Sequence, residues 1–441
     1  MHSAGMWGSK FGSTRNEKKQ QNAMIVLEGF VFLTVVIGLA LAARQFLLAW
    51  RVALGPDDHS RKQSGRTVKE GEWPTVTVLI PAHNEERVLS GCLSVMSALD
   101  YPADKLEILV VDDRSTDGTG TIADSFAARD ERIRVLHRPQ SAPPGKAAAV
   151  ADGMALSTSE VVVLFDADYL PSAGLLKELV APFADPSVGA TMGRVVPANC
   201  DANLLTRLLD LERRAGYAVD QTGRALWQLM PQFGGTVGGI RRSALESVGG
   251  WRLGHLAEDT DLTFRLALGG WRVAYLNQAR CHEEVPEEWA SRFRQVRRWA
   301  YGHNQCLLSH LSGVLRSPRL RPARKLDGAL ILIFYLFPLC ALLSILAMVP
   351  LIAFGAATSN EEVHWDWLDL LLAIAVLAPH TQVMVAARAD RQRHIVRVLP
   401  LLFVSSSLSL LASAAGAALL ACSRVSGVAF GWDKTRRYRS A

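Results

Sequence analysis

The stretch that decides the fold is EVVVLFDADYLP, Glu160–Pro171, where a run of β-branched and apolar residues ends in two aspartates. Such a run, bounded by polar residues, predicts a buried strand. The same pattern occurs three times upstream, in Val76–Glu86, Leu106–Asp113 and Ile133–Arg138. Helical patterns separate these runs, at about residues 87–99, 119–129 and from Gly145 onward. Strands that alternate with helices predict a mostly parallel sheet with helices on both faces.

Acidic residues follow two of these strands. Asp112 and Asp113 end one of them, and Asp166 and Asp168 flank Ala167 at the end of another. Alternate residues of a strand point the same way, so the carboxylates of Asp166 and Asp168 are expected to face one ligand. In such sheets, ligands bind beyond the carboxyl ends of the strands. Close carboxylates repel each other unless a cation neutralises them, and Mg²⁺ typically uses one or two carboxylates plus substrate phosphates. The pattern favours a metal–nucleotide site at Asp166 and Asp168, and the alternative is a solvated acidic turn.

Further candidates each have a structural alternative. Asp112 or Asp113 is expected to hold a base or ribose, although either residue also suits a helix cap. Lys146, in PPGKAAA, is a candidate phosphate contact near a helix start, or an ordinary surface lysine. Glu258 and Asp259 lie in HLAEDTDLTFRLAL, where Asp259 is a candidate general base for a sugar hydroxyl or only an N-cap.

A mixed polar and aromatic face is predicted in FRQVRRWAYGH, Phe293–His303. On a helix, Gln295, Arg298 and Trp299 share one face, while Arg297 points elsewhere. An indole offers a flat surface for a sugar ring, and arginine suits a diphosphate. Tryptophan and arginine also favour lipid headgroups, so an interfacial anchor is the alternative.

The 441-residue chain is 49% hydrophobic, and its apolar residues concentrate in four stretches of membrane-spanning length. These are, approximately, Met24–Ala43, Gly328–Ala357, Leu368–Ala387 and Leu399–Ala421. The first stretch also resembles a signal peptide, because LALAARQ offers small residues for cleavage. The run from Gly328 is long and contains Pro338 and Pro350, so it is a candidate for an in-plane segment.

The distribution of charge and of cysteines indicates which partners and which cellular compartment to expect. The net charge is +6, and the basic runs near 388–397 and 434–439 are expected to flank a membrane on its cytoplasmic side rather than to bind nucleic acid. The basic residues near the N-terminus conflict with that orientation, so the number of crossings stays open. Six scattered cysteines without a Cys-x-x-Cys pair fit a reducing compartment.

Together the acidic and aromatic motifs resemble the membrane-bound branch of glycosyltransferase family 2, which includes cellulose, hyaluronan and poly-N-acetylglucosamine synthases. The motifs that carry the resemblance occur in the family's order: DD at Asp112–Asp113, DAD at Asp166–Asp168, AED at Ala257–Asp259 and QVRRW at Gln295–Trp299. Ala257 stands where the family usually has threonine. The resemblance implies an α/β nucleotide-diphospho-sugar transferase domain embedded between transmembrane helices.

The resemblance also implies a role for each motif. The loop PAHNEE, with Glu85, would face the nucleotide, as would Asp112, Asp113 and Lys146. Asp166 and Asp168 would bind a UDP-sugar and a divalent metal, Mg²⁺ or Mn²⁺. Asp259, beside Glu258, would be the catalytic base, and Gln295, Arg298 and Trp299 would line the acceptor and diphosphate. The stretch GGTVGGIRR would lie beside the acceptor. GWDKTRRY near the C-terminus resembles a segment that closes over the nucleotide, with a plain basic tail as the alternative.

The sequence thus predicts an inverting glycosyltransferase of the plasma membrane, with several crossings and a cytoplasmic catalytic domain. A growing β-linked polysaccharide is the first acceptor, a lipid that receives one or two sugars is the alternative, and an inactive scaffold is a third. No residue identifies the sugar. The expected organisation is a disordered segment at 1–22, a transmembrane helix at 23–46, a linker at 47–74, the catalytic domain with a terminal interfacial helix at 75–318, about three transmembrane helices at 327–423 and a basic tail at 424–441.

Overall fold

A computed structural model describes residues 15–55, 71–358, 367–391 and 393–427. The segment GWDKTRRY and residues 359–366, between the second and third expected apolar stretches, lie outside these residues.

Strands and helices follow each other as the sequence predicts through the first half of the catalytic region. The strands are β1 Val76–Ala82, β2 Leu106–Asp112, β3 Ile133–His137, β4 Val161–Leu164, β5 Leu170–Pro171, β6 Val188–Pro197, β7 Gly238–Arg241 and β8 Arg272–Glu283. The helices up to residue 269 are α1 Arg15–Ala53, α2 Leu89–Ser97, α3 Thr119–Ala127, α4 Lys146–Leu156, α5 Leu175–Val180, α6 Leu204–Arg214, α7 Thr222–Leu226, α8 Arg242–Ser247 and α9 Glu258–Gly269. The remaining helices are α10 Trp289–Arg316, α11 Pro322–Ile333, α12 Phe337–Thr358, α13 Trp367–Val376, α14 Ala378–Ala389 and α15 Leu402–Ser426.

Within the described residues the strands form one mixed sheet in the order β3-β2-β1-β4-β7-β6-β8-β5. Strands β1 to β4 pair in parallel, as the sequence predicts. In the other half β6 and β8 are parallel, whereas β7 runs antiparallel to both its neighbours and β5 antiparallel to β8. The register places Ala82 opposite Asp112 and Leu79 opposite Leu164, so β1, β2 and β4 end at one edge of the sheet. That edge carries the acidic motifs.

Helices cover both faces of the sheet, which confirms the expected α/β layering. One face packs against α2 and α5, with Leu89, Leu93 and Leu176 fully buried. The other face packs against α4 and α9. Helix α4 approaches very closely, because a Cβ at Gly153 would lie only 2.3 Å from Leu79 Cδ1. A residue without a side chain is therefore required where α4 crosses β1.

In the part of the chain that the structure describes, two helical stretches are long and apolar enough to cross a membrane, Gln21–Ala53 and Arg397–Ser426. The other two apolar stretches are each broken into a bent pair: α11 meets α12 at 66°, and α13 meets α14 at 41°. Pro338 and Pro379 stand in the first turn of the second helix of each pair, where a missing N–H is tolerated. The run from Gly328, which is a candidate for an in-plane segment, is thus bent near Pro338. The run Leu368–Ala387, expected as one stretch of spanning length, is bent near Pro379.

Helix α1 is longer than the expected span of 23–46 in both directions, and it is packed into the protein. It contacts α12 and α14, and Leu48 and Ala49 are buried. Arg44 donates to Asp220 at 2.7 Å and to Asp327 at 2.8 Å. These contacts favour a retained helix over a cleaved signal peptide, because the expected cleavage region lies inside the packed helix.

Helix α15 packs closely on α10. A Cβ at Gly416 would lie 2.4 Å from the carbonyl oxygen of Arg297 and 2.8 Å from the Cβ of Ala300. The two backbones therefore touch at this point, which places the apolar C-terminal helix directly behind the helix that carries the QVRRW motif.

A buried ion cluster joins α14 to the sheet domain. Asp390, directly after α14, accepts from Arg194 of β6 at 3.0 Å and from Arg214 of α6 at 2.6 Å. The Arg194 side chain is 2% exposed, so its charge depends on this carboxylate. Asp210 also accepts from Arg214, at 2.7 Å. The cluster fixes the end of the bent helix pair against the catalytic region.

We expect Asp390→Ala to destabilise the protein strongly, because it leaves two buried guanidiniums without their shared carboxylate. Breaking a buried pair in this way costs roughly 3–5 kcal/mol. The measurement is thermal unfolding of the purified protein in detergent. The control is Asp100→Ala, which removes a 63%-exposed partner of Lys177 and should change stability by about 1 kcal/mol or less. Equal melting temperatures for the two variants would contradict the assigned role.

Candidate active site

The two aspartates of the DAD motif lie in the turn that follows β4, not on the strand. The strand ends at Leu164, so the alternation of a strand cannot orient their side chains as expected. Asp166 N donates to Thr236 Oγ1 at 3.3 Å, and Asp168 Oδ2 accepts from Glu284 N at 3.3 Å. The turn is thus held from two sides, by the loop before β7 and by the residue after β8.

Lys146 is the first residue of α4, and it reaches the DAD turn. Its Nζ lies 2.5 Å from Asp166 Oδ1. Burial lowers the pKa of Lys146, but the charges of Asp166 and Glu258 raise it more, so the net shift is upward. Lys146 is therefore not an ordinary surface lysine: it is a fixed cation among the carboxylates at this edge of the sheet.

Glu258 and Asp259 begin α9 and lie in the same charged group. The N-cap of α9 is Ala257, so Asp259 does not cap the helix, which removes the structural alternative for this residue. Burial and the charge of Asp259 raise the pKa of Glu258 to about 7, although Lys146 and Arg298 oppose the shift. Two carboxylates therefore lie near a lysine and an arginine in a largely desolvated pocket.

The glycine-rich loop GGTVGG lies against Asp259. Gly235 has a φ of +71°, and a Cβ at this position would lie 3.1 Å from the Cβ of Asp259. On the other side, a Cβ at Gly302 of α10 would lie 2.5 Å from Ala257 N. The backbone around Glu258 and Asp259 is thus confined between two glycines.

A nearby third acid, Asp261, has a structural role. It is fully buried, it accepts from Arg265 Nε at 2.7 Å, and His310 Nε2 lies 2.8 Å away. Burial raises its pKa, but the His310 and Arg265 contacts outweigh this and bring the pKa to about 2. Asp261 joins α9 to α10 and lies within its own ion cluster.

Asp112 and Asp113 end β2 and are both buried. Asp112 lies 3.0 Å from His137 Nδ1 and accepts from Ser115 N at 3.1 Å. Asp113 pairs with Arg138 and accepts from Gly145 N at 3.0 Å, directly before Lys146. Both carboxylates therefore organise the loops around the sheet edge.

Glu85 lies in the loop after β1 and is 9% exposed. Its backbone N–H donates to Thr119 Oγ1 at 2.7 Å, which ties this loop to the start of α3. Glu85 thus lies at the same edge of the sheet as Asp112 and Asp113, as the sequence predicts.

The QVRRW motif lies on α10. Gln295 Oε1 accepts from Arg292 at 2.9 Å, and the charge of Arg298 opposes the upward pKa shift of Glu258. The Trp299 ring has two guanidinium groups over it, Arg292 at 5.2 Å and Arg213 at 5.4 Å from the ring centroid. Arg298 therefore lies close enough to Glu258 for its charge to act on that carboxyl group, while the Trp299 indole is in contact with two of the protein's own cations.

Sequence reasoning missed His303, although it lies four residues after Trp299 on the same helix. Its ring stacks on Tyr335 with centroids 4.4 Å apart, and Nδ1 lies 3.5 Å from Thr260 Oγ1. Burial lowers the pKa of His303 to about 4, against the opposing charge of Asp259. A neutral imidazole thus lies beside the candidate base, and its helical spacing from Trp299 is the signal that points to it.

Glu283 and Arg213 were also missed. Glu283 accepts from the Tyr169 hydroxyl at 2.8 Å and pairs with Arg213 at 2.8 Å. These residues come from β8, the DAD turn and α6, which are far apart in sequence. No local pattern marks them, apart from the two acids at the end of β8.

Few of the described side chains are placed to coordinate a metal ion. Among the described residues, no group of three or more His, Cys, Asp or Glu side chains is arranged to hold an ion. Asp166 and Asp168 supply hard carboxylate oxygens, and Mg²⁺ or Mn²⁺ sites of this kind are completed by substrate phosphates and water. The residues present therefore fit a cation that binds together with a diphosphate.

Comparison with known proteins gives the family. A family model described as "Glycosyltransferase like family 2" matches residues 74–302, about half of the chain. The chain is 38% identical over 252 residues to a probable glycosyltransferase, YdaM, of Bacillus subtilis, with 57% of this chain and 60% of that protein covered. It is 32% identical over 277 residues to a beta-monoglucosyldiacylglycerol synthase of Synechocystis, with 61% and 56% covered. The match spans little more than half the length of these relatives.

The fold has a solved counterpart in a mannosyltransferase of Pyrobaculum calidifontis, described in complex with GDP-mannose and Mn²⁺. The TM-score is 0.54 at 23% identity, over 87% of this chain and 99% of that one. This similarity confirms the predicted class of fold, an α/β nucleotide-sugar transferase domain. With the matched family model and the ordered DD, DAD, AED and QVRRW motifs, it shows that the chain belongs to glycosyltransferase family 2.

Proposed function

We propose that this protein is an inverting glycosyltransferase that moves a sugar from a nucleotide diphosphate donor onto a lipid acceptor at a membrane surface. The observation that carries the reaction class is the group of Asp166, Glu258, Asp259 and Lys146 at the carboxyl edge of a nucleotide-sugar transferase fold. Transfer of a sugar from a nucleotide diphosphate requires a base for the acceptor hydroxyl and positive charge at the diphosphate. This group provides a candidate base, a fixed cation and an Asp-x-Asp turn.

In this proposal, Asp259 accepts the proton of the acceptor hydroxyl as its oxygen attacks the anomeric carbon. The bond between that carbon and the diphosphate oxygen breaks, its electron pair leaves with the nucleotide diphosphate, and the attack from the opposite side inverts the configuration. Asp166 and Asp168 would hold a divalent cation, which neutralises diphosphate charge when bound. The Mn²⁺ named with the solved mannosyltransferase supports this assignment.

The donor side is assigned to the residues around the sheet edge. Lys146 begins α4 and its side chain reaches Asp166, and the start of a helix also offers backbone N–H groups to an anion. Glu85, Asp112 and Asp113 would shape the nucleotide pocket, and Gln295 and Arg298 would face the diphosphate and acceptor. A UDP-sugar is the donor that the sequence resemblance implies.

A lipid acceptor is supported better than the polysaccharide that the sequence analysis placed first. Three similar proteins are named beta-monoglucosyldiacylglycerol synthases, at 30–32% identity. In addition, α15 touches α10 at Gly416, so an apolar helix lies directly behind the wall that carries QVRRW. An acceptor with an apolar tail could therefore reach the site along a membrane surface. A membrane location, with the catalytic domain on the cytoplasmic side, is part of the proposal.

We expect the product to extract into organic solvent. Membranes that contain the protein are incubated with labelled UDP-glucose, UDP-galactose, UDP-N-acetylglucosamine or GDP-mannose and Mg²⁺ or Mn²⁺. Chloroform–methanol extraction then separates glycolipid from polymer, and Asp259→Asn membranes provide the blank. Label found only in insoluble polymer would exclude a lipid acceptor. The assignment of the protein as a glycosyltransferase would still hold in that case.

We expect Asp259→Asn to lower kcat by roughly 10²–10⁴-fold, because the amide cannot accept the acceptor's proton. The affinity for Mn²⁺–UDP, measured by calorimetry, should stay within a few-fold of the original protein. Asp100→Asn makes the same chemical change at a surface carboxylate and serves as the control. Retention of more than a tenth of the activity in Asp259→Asn would exclude this residue as the base.

We expect His303 to make stability depend on pH. Its pKa in the folded protein, about 4, lies below the ordinary value of 6.5, so the unfolded chain binds the proton more readily. Its contribution to stability is therefore present above pH 6.5 and is lost as the pH falls toward 4. The melting temperature of the original protein should fall more steeply over this range than that of His303→Gln. Parallel curves would show that His303 does not titrate in this way.

A further inference from the structure

The indole of Trp299 is in contact with two guanidinium groups. The Cζ atoms of Arg213 and Arg292 lie 5.4 Å and 5.2 Å from the ring centroid. A tryptophan ring attracts a cation within about 6 Å, and this attraction strengthens where water is excluded. Arg213 and Arg292 are largely buried, with side chains 22% and 10% exposed. Trp299 therefore has partners within the protein before any sugar is present.

One of these partners leads from Trp299 to the DAD turn. Arg213 lies 2.8 Å from Glu283 Oε1, and Glu283 Oε2 accepts from the Tyr169 hydroxyl at 2.8 Å. Tyr169 is 2% exposed and directly follows Asp168. Glu283 is 9% exposed, and a buried carboxylate keeps its charge only where a cation or hydrogen-bond donors compensate it.

The residue after Glu283 holds the same turn through its backbone. Glu284 N donates to Asp168 Oδ2 at 3.3 Å. The end of β8 thus contacts Asp168 and Tyr169 at once. The backbone of this strand is held by its pairing with β6, and the Glu283 side chain by its ion pair with Arg213. Loss of Arg213 would leave the Glu283 carboxylate without this cation beside the DAD turn.

We propose that Trp299 is a positioning residue that acts through Arg213. The indole holds the Arg213 guanidinium against Glu283, and Glu283 and Glu284 in turn fix the turn that carries Asp168. This proposal rests on the proposed function, in which Asp168 helps to hold a cation with the donor diphosphate. It differs from the sugar-stacking role expected from the sequence, because it places the effect of Trp299 on the donor side and not on the acceptor side.

Binding of Mn²⁺ with UDP to the full-length protein in detergent tests the proposal, by calorimetry and by the electron paramagnetic resonance of Mn²⁺. We expect Trp299→Leu and Arg213→Gln each to weaken binding by about tenfold, and Trp299→Phe by less, because phenylalanine attracts cations more weakly than tryptophan does. The double variant should be no weaker than the worse single variant, because the two residues act in one chain of contacts.

Arg207→Gln is the matched control. It makes the same chemical change as Arg213→Gln at an exposed position of the same helix, α6, and it should change Mn²⁺–UDP binding by less than about twofold. Melting temperatures are recorded for each variant, and where Trp299→Leu does not unfold cooperatively the comparison uses Trp299→Phe and Arg213→Lys.

Two outcomes separate this inference from the proposed function. If the original protein does not bind Mn²⁺–UDP or Mn²⁺–GDP, the proposed function fails. If the original protein binds and the Trp299 and Arg213 variants bind equally well, the positioning role is overturned. A raised KM for the acceptor with unchanged Mn²⁺–UDP affinity in Trp299→Leu would instead assign Trp299 to sugar stacking.

Discussion

The ion pair between Lys146 and Asp166 is the interaction on which the site depends. Parallel β1, β2 and β4 end at one edge, so the acids that follow them are brought together by the sheet itself. Asp166, Glu258 and Asp259 then share one charged group with Lys146, and burial together with the charge of Asp259 raises the pKa of Glu258 to about 7. Lys146 compensates this charge from the start of α4, whose position is fixed by the contact of Gly153 with Leu79. The core of the fold and the charge balance of the site are therefore set by the same helix.

Helix α10 is the second element that organises the site, because it contacts α6, α9 and α15. Gly302 lets it approach the backbone before Glu258, Trp299 contacts Arg213, and Asp261 joins it to α9 through His310. Its other side contacts α15. Glu258 and Asp259 are thus separated from the apolar helix α15 by the width of one helix, so the QVRRW motif lies between a charged group and an apolar helix.

The sequence was sufficient where the information is local. The buried strands are recognisable as apolar runs in the sequence. The acids directly after these strands lie at the expected edge of the sheet, independently of how the rest of the chain folds. It was insufficient where partners come from distant segments. The pairing of Glu283 with Arg213 and Tyr169, the Asp390 cluster and the mixed half of the sheet depend on how α6, β8 and α14 meet in space. One local expectation was wrong: the DAD residues lie in a turn and not on β4. The alternative in which Asp259 caps α9 is excluded, because Ala257 is the N-cap.

The contact at Gly416 restricts which segments of this protein can be replaced by segments of another protein. A Cβ there would overlap the carbonyl of Arg297, and on the far side of α10 a Cβ at Gly302 would overlap the backbone of Ala257. Neither clash can be relieved by rotating a side chain, since in both cases the nearest atoms belong to the backbone. The C-terminal helix and the catalytic region are consequently not interchangeable modules. A chimaera that takes residues 402–426 from another protein must supply a glycine in register with position 416, whatever its hydrophobicity, if α10 is to keep its place.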